Sequence, residues 1–157
     1  MPIEIYTASQ ALDALTKYCA YQERSQAEAR KKMYGFQITS DEKEWVIAQL
    51  IEQDFLSESR FAELYVRSKI NQKKWGVLKL KQGLFMHGVS QPIVNKELQQ
   101  CKNETYRNNA IKLLEKILSA KEATQDLKVR IAIRKLQSKG YEPAWVGALI
   151  KATYKLK

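Results

Sequence analysis

The sequence predicts an all-α chain of three tandem three-helix repeats. Three observations carry this expectation. Apolar residues recur at three- and four-residue spacing along most of the 157 residues. No run alternates with period two for long enough to make a sheet. Only 6 Gly and 3 Pro are present, too few for a chain rich in hairpin turns.

Taken in order, Leu12, Leu15 and Cys19 mark a first helical face, and Trp45, Ile47, Leu50 and Ile51 a second. Phe61, Ala62, Tyr65 and Val66 form another, followed by Val77, Leu80 and Leu84 at i, i+3, i+7. Tyr106, Ala110, Leu113, Leu114 and Ile117 give a long stripe. Val129, Ala132, Ile133 and Leu136 repeat the pattern, and Trp145, Val146, Leu149 and Ile150 close it. Ser40-Asp41-Glu42 and Ser57-Glu58 supply a hydroxyl acceptor and acids suited to a helix start. Gly88 and Gly140 stand where a left-handed C-cap residue belongs, and Pro92 and Pro143 fall in the first turn of the helix that follows.

Aligning Gly88 with Gly140 exposes the repeat. At that offset Val77 falls on Val129, Leu80 on Ala132, Leu84 on Leu136, Val94 on Val146 and Leu98 on Ile150. Residues 25–51 copy the pattern more loosely, with Ala29 and Met33 at the helix positions and no glycine expected at the turn near Gln37. One longer helix before each copy gives about nine helices, in units spanning 7–54, 55–101 and 102–157. A unit of this size buries its own face poorly, so neighbours are expected to pack in series.

Charge is segregated. The net charge is +10, yet residues 1–56 carry 6 bases and 9 acids, residues 57–100 carry 8 and 3, and residues 101–157 carry 13 and 5. Leu64–Lys96 contains no acid, nor does Leu127–Tyr141. A field of one sign over two thirds of a molecule attracts polyanions, a nucleic acid or an acidic protein surface. Solubility alone would not demand segregation.

Nothing in the sequence assembles an active site. His87 is the only histidine, no carboxylate lies near it in sequence, and its place before Gly88 suits contact with helix-end carbonyls. One histidine with the separated Cys19 and Cys101 cannot supply a metal set or a disulfide framework. Gly76-Val77-Leu78-Lys79 lacks the second glycine of a phosphate loop, and no G-x-S-x-G elbow occurs. Acid pairs such as Asp41/Glu42 read as dipole compensation. We expect no catalytic residue, cofactor or metal. Free thiols, no apolar run long enough for a bilayer, and no secretory pattern at Met1-Pro2-Ile3-Glu4 make a cytoplasmic protein the expectation.

The basic residues are the better candidates. Arg67, Lys69, Lys73, Lys74, Lys79 and Lys81 cluster around the turn at Trp75-Gly76. Arg130 and Arg134, four apart and opposite the Val129/Ala132/Ile133/Leu136 stripe, should face solvent together, with Lys135 and Lys139 as a second pair beside them. Trp75 suits either stacking on a base or packing two helices together.

The stretch from Phe55-Leu56-Ser57-Glu58-Ser59-Arg60-Phe61-Ala62 through Tyr65-Val66-Arg67, then Lys74-Trp75-Gly76 and the helix to Gly88-Val89, resembles the central signature of the RecX family, regulators of the RecA recombinase. Arg24-Ser25 with Glu28-Ala29 and Met33 resembles the family's first repeat, and Leu136 with Lys139-Gly140-Tyr141 its third-repeat turn. The likeness spans roughly residues 10–155. It departs where the acidic pair is Ser57-Glu58 and the Lys-Gly turn is His87-Gly88. The resemblance implies an elongated, curved array of helical modules. It also implies a non-enzymatic modulator, chiefly inhibitory, that binds the RecA–single-stranded DNA filament in its groove, with single-stranded DNA itself a possible contact. We take the molecule to be a monomer. The rival reading is a helix-turn-helix protein acting on duplex DNA through the helix after Gly88 or Gly140. Against it, residues 142–153 offer only Lys151 as a polar reader.

Overall fold

The computed structural model describes residues 4–121 and 123–154. Met1–Ile3, read above for a leader, and residues 155–157 of the third expected repeat lie outside them. Among the described residues there are nine α-helices and no strand. The helices are α1 (Ala8–Tyr21), α2 (Gln26–Lys32), α3 (Ser40–Glu52), α4 (Glu58–Ser68), α5 (Val77–Met86), α6 (Gln91–Gln100), α7 (Glu104–Leu118), α8 (Gln125–Ser138) and α9 (Pro143–Tyr154). The all-helical class and its nine-helix count are as the periodicity predicts.

Local chemistry sets the helix starts. Thr7, Ser25 and Thr39 each accept from the backbone N–H three residues on, and Gln10, Glu28 and Glu42 reach back to the cap N–H. Such reciprocal boxes satisfy two orphan donors at once. The cap of α3 is therefore Thr39, one residue before the Ser40 that the sequence suggested, because Glu42 sits three positions after Thr39. Ser57, Asn103 and Thr124 cap α4, α7 and α8 by single acceptor bonds.

The helix ends confirm the repeat and correct one detail. Gly88 N–H donates to Phe85 O and Val89 N–H to Leu84 O. Gly140 donates to Gln137 O and Tyr141 to Leu136 O in the same way. This paired closure needs a left-handed residue, and both glycines supply it, at φ +73° and +98°. Contrary to expectation, the first turn also has its glycine. Gly35 lies at φ +85°, two residues after the buried Met33 rather than four. The α2 turn is shorter, so the glycine falls out of register with the other two.

Packing groups the chain into two compact units. One runs to Leu64 and takes in Leu84–Ile93; the other comprises Tyr65–Gly83 and the chain from Val94 onward. The N-terminal unit closes around Ala11, Leu15, Cys19, Ala29, Met33, Val46, Ile47 and Leu50. On α3 the inward face is Val46/Ile47/Leu50. Trp45 and Ile51, expected there, are 44% and 45% exposed. The C-terminal unit buries Leu80, Val94, Ala110, Leu114, Ala132, Leu136 and Val146, with Tyr106, Tyr141 and Trp145 forming a ring cluster at 5.1–5.6 Å.

Candidate polyanion-binding site

Helix α4 does not stop cleanly. Its continuation widens into a π-helical turn, Lys69–Lys73, and Lys74 follows in the left-handed region at φ 58°, ψ 37°. A π turn breaks the regular ladder and leaves carbonyls to be satisfied elsewhere. Side chains from α7 and from the turn after α8 do so. Asn109 Nδ2 donates to Ile70 O at 2.9 Å, Lys139 Nζ to Lys73 O at 3.3 Å, and Tyr141 OH to Lys74 O at 2.9 Å. Backbone bonds complete the clasp. Gly76 N–H donates to Lys139 O and Leu78 N–H to Gly140 O, both at 2.8 Å. Val77 N–H donates to the Tyr106 hydroxyl at 3.0 Å. The turns before α5 and after α8 are thus one structure, although far apart in sequence.

That clasp gathers cations. The Lys69 and Lys79 ammonium groups lie 5.0 and 5.1 Å from the centroid of the Trp75 ring, and Lys69 also lies 5.4 Å from the Tyr65 ring. Trp75 is half-buried, meets Tyr65 edge-on at 6.4 Å, and so serves as a packed platform for the two lysines. Lys73 and Lys74 are exposed beside them, and Lys139 arrives from the turn after α8. The helix-end carbonyls account for some of this attraction. Among the described residues, no carboxylate pairs with Arg67, Lys69, Lys73, Lys74, Lys79, Arg130, Arg134, Lys135 or Lys139.

Of the residues singled out from sequence, contacts bring Lys69, Lys73, Trp75, Lys79 and Lys139 together, with Lys74 in the same turn. Arg67 and Lys81 are exposed on α4 and α5. Arg130, Arg134 and Lys135 are exposed on α8, as the stripe opposite predicts, but no described contact joins them to Trp75. Asn109, Tyr106 and Tyr141, which hold the clasp, escaped sequence reasoning because their partners are remote in the chain. The pairing of Gly76 with Gly140 escaped it for the same reason. Burial pushes the Tyr141 hydroxyl up to about 12 and the Cys101 thiol up to about 11, and raises Tyr106 as well.

A family model described as RecX, second three-helix domain, matches residues 57–98, the stretch that contains α4, the π turn, Trp75 and α5. The regulatory protein RecX of Clostridium acetobutylicum is 32% identical over 160 residues, covering 96% of this chain and 70% of the relative. This chain belongs to the RecX family. The regulatory protein RecX of Bacillus cytotoxicus is 29% identical over 126 residues, covering 72% of this chain and 45% of its own length. The chain thus spans about half the length of some relatives it matches. In fold it is similar to the crystal structure of RecX from Lactobacillus salivarius, with a TM-score of 0.87 at 23% identity, covering 95% of this chain and 97% of that one.

His87 faces the Glu28 carboxylate at 3.4 Å and the Phe61 ring at 5.1 Å. The carboxylate comes from α2, so nearby sequence gave no sign of it. Glu28 is also the box residue that caps α2. Among the described residues no group of three or more His, Cys, Asp or Glu could hold a metal ion. No helix there is long and apolar enough to cross a membrane.

Proposed function

We propose that this RecX-family chain is a non-enzymatic regulator of the RecA recombinase that binds the RecA–single-stranded DNA filament in its groove and restrains it. The observation that carries the reading is the carboxylate-free gathering of Lys69, Lys73, Lys74, Lys79 and Lys139 around Trp75. It lies in a unit whose sequence holds 20 basic and 6 acidic side chains. Clustered unpaired lysines meet a phosphate backbone by releasing its counterions, and the contact needs no base sequence. Trp75, already engaged by two ammonium groups, positions those charges. Direct contact with single-stranded DNA follows from this reading, with the recombinase supplying specificity.

The test is the DNA-dependent ATPase of the recombinase, titrated with the protein on single-stranded DNA. We expect the rate to fall as protein is added, and to fall less after Lys69→Gln with Lys79→Gln. An unchanged rate at saturating protein removes the proposal.

One observation favours a second reading, in which the protein acts on duplex DNA. Helix α6 exposes Asn95, Lys96, Gln99 and Gln100, residue types able to read base edges. Helix α9 does not, since its inward Val146, Leu149 and Ile150 leave mainly small side chains outside. Tight sequence-selective binding to duplex without recombinase would put this reading first.

A further inference from the structure

The outer face of α8 has a composition unlike the lysine cluster. At about 3.6 residues per turn, Leu127, Ile131, Arg134 and Ser138 fall on one stripe, directly opposite the buried Ala132 and Leu136. Leu127 is 48% and Ile131 38% exposed. Arg130 flanks this stripe on one side and Lys135 on the other, both exposed. The sequence reading saw the cations on this face and missed the two aliphatic residues at its centre.

Phosphate oxygens gain nothing by covering leucine and isoleucine, since an apolar side chain against a phosphate replaces water with no comparable partner. A bilayer surface asks for a continuous apolar face, and this stripe turns polar at Arg134 and Ser138 after two residues. A small aliphatic centre ringed by arginine and lysine instead matches one half of a protein interface, with an apolar middle and a charged rim. Arginine suits that rim because its planar guanidinium binds carboxylates in bidentate fashion.

From this we infer that the outer face of α8 docks an acidic protein surface, one that presents aliphatic side chains bordered by Asp or Glu. The lysine cluster around Trp75 then takes the phosphate backbone. This division rests on the filament reading above, and assigns the α8 face to the protein component of the filament and the Trp75 cluster to its DNA. The complementary charge of Arg130, Arg134 and Lys135, none paired with a carboxylate among the described residues, selects the acidic partner.

The experiment measures binding of the full chain to fluorescent oligo(dT), alone and coated with recombinase. Wild type is compared with Leu127→Gln/Ile131→Gln and with Arg130→Glu/Arg134→Glu. Glutamine retains helix propensity and both positions are exposed, so melting temperatures should match wild type. We expect the glutamine pair to weaken filament binding about tenfold or more, the loss expected for removing a small buried apolar contact. Its binding to bare oligo(dT) should stay within about twofold, as a contact made only to protein requires. The charge-reversed pair should weaken filament binding and flatten its salt dependence. The inference is overturned if the glutamine pair binds filament as wild type does, or if it loses bare DNA and filament equally. Wild-type binding to phosphatidylglycerol vesicles that the glutamine pair abolishes would also overturn it. A wild-type chain that binds no filament at all is a different result, and removes the filament reading itself.

Discussion

In the N-terminal unit Arg30 is held by both oxygens of Glu44, at 2.9 and 3.0 Å, and Arg60 bridges Glu23 and Asp54 at 2.9 and 2.7 Å. In the C-terminal unit Lys102 pairs with Glu142. The helix starts differ in the same sense. Reciprocal boxes open α1, α2 and α3, while α7 and α8 begin on a single acceptor. Polar side chains in the first unit mostly satisfy one another. In the second, backbone groups and aromatic rings hold the clasp, and among the described residues no carboxylate pairs with Lys69, Lys73, Lys74, Lys79 or Lys139.

The sharpest way to break that contrast is at the glycines. A Cβ on Gly76 would fall well inside van der Waals distance of Tyr141 N and Gly140 C, which are backbone atoms and cannot swing away. Gly76→Ala should therefore destabilise the C-terminal unit by roughly 3 kcal/mol or more, in the range of severe overpacking. Gly35→Ala meets nothing within 4 Å and bears only the left-handed backbone penalty, about 1 kcal/mol. Tryptophan fluorescence separates the units. Trp45 reports on the first when Trp75 and Trp145 are replaced by Phe, and Trp75 and Trp145 report on the second when Trp45 is replaced. Equal shifts from the two glycine variants would undo the comparison.

Alkaline pH should find the same boundary with a smaller effect. Folded Tyr141 and Cys101 hold their protons up to about 12 and about 11, above the ordinary 10 and 9. Raised folded values mean that the associated stability is intact below the unfolded values and is lost as pH climbs past them. We expect the C-terminal unit to lose on the order of 2 kcal/mol between pH 9 and 12, tracked by denaturant midpoints in the Trp45→Phe background. Tyr141→Phe should flatten the decline, while removing the bond to Lys74 O.

Neutralising Lys69 and Lys79 together should weaken binding to single-stranded DNA about tenfold at low salt and reduce the slope of log affinity against log salt by roughly 1–2. Arg30→Gln in the first unit should leave both quantities unchanged, because that charge is already matched by Glu44. Salt-titrated anisotropy reads both.

Periodicity alone disclosed the helices, because one buried stripe per helix leaves a three-four spacing in the sequence. The offset between Gly88 and Gly140 disclosed the repeat, because a left-handed cap tolerates few other residues. Gly35 was overlooked because its turn is two residues shorter. Trp45 and Ile51 misled because apolar residues flanking a core stripe blur its edge. The site was half legible. The acid-free windows held the lysines that the fold gathers around Trp75, but the π turn has no local signature. Nor does any motif link Gly76 to Gly140 or Asn109 to Ile70. Long-range backbone contacts of this kind arise only once the core has set which turns meet.

The smallest effect expected is also the most discriminating, because its sign differs between two properties. Asp54 and Lys74 are the two residues other than glycine, among those described, with positive φ, at 63° and 58°, one in each unit. Each gives up roughly 1 kcal/mol of backbone energy to stand there. Asp54 recovers part of it through Arg60, so Asp54→Gly exchanges strain for a lost ion pair and should change stability little. Lys74 has no carboxylate partner among the described residues, and its ammonium group donates to Asn71 O within the π turn. Lys74→Gly should therefore raise the melting temperature slightly while weakening DNA binding by a fewfold. Binding that falls while stability rises would mean that Lys74 gives up backbone energy for contact with an anionic partner. If Lys74→Gly stabilises the protein and leaves binding untouched, Lys74 belongs to the clasp alone and the binding cluster is one residue smaller.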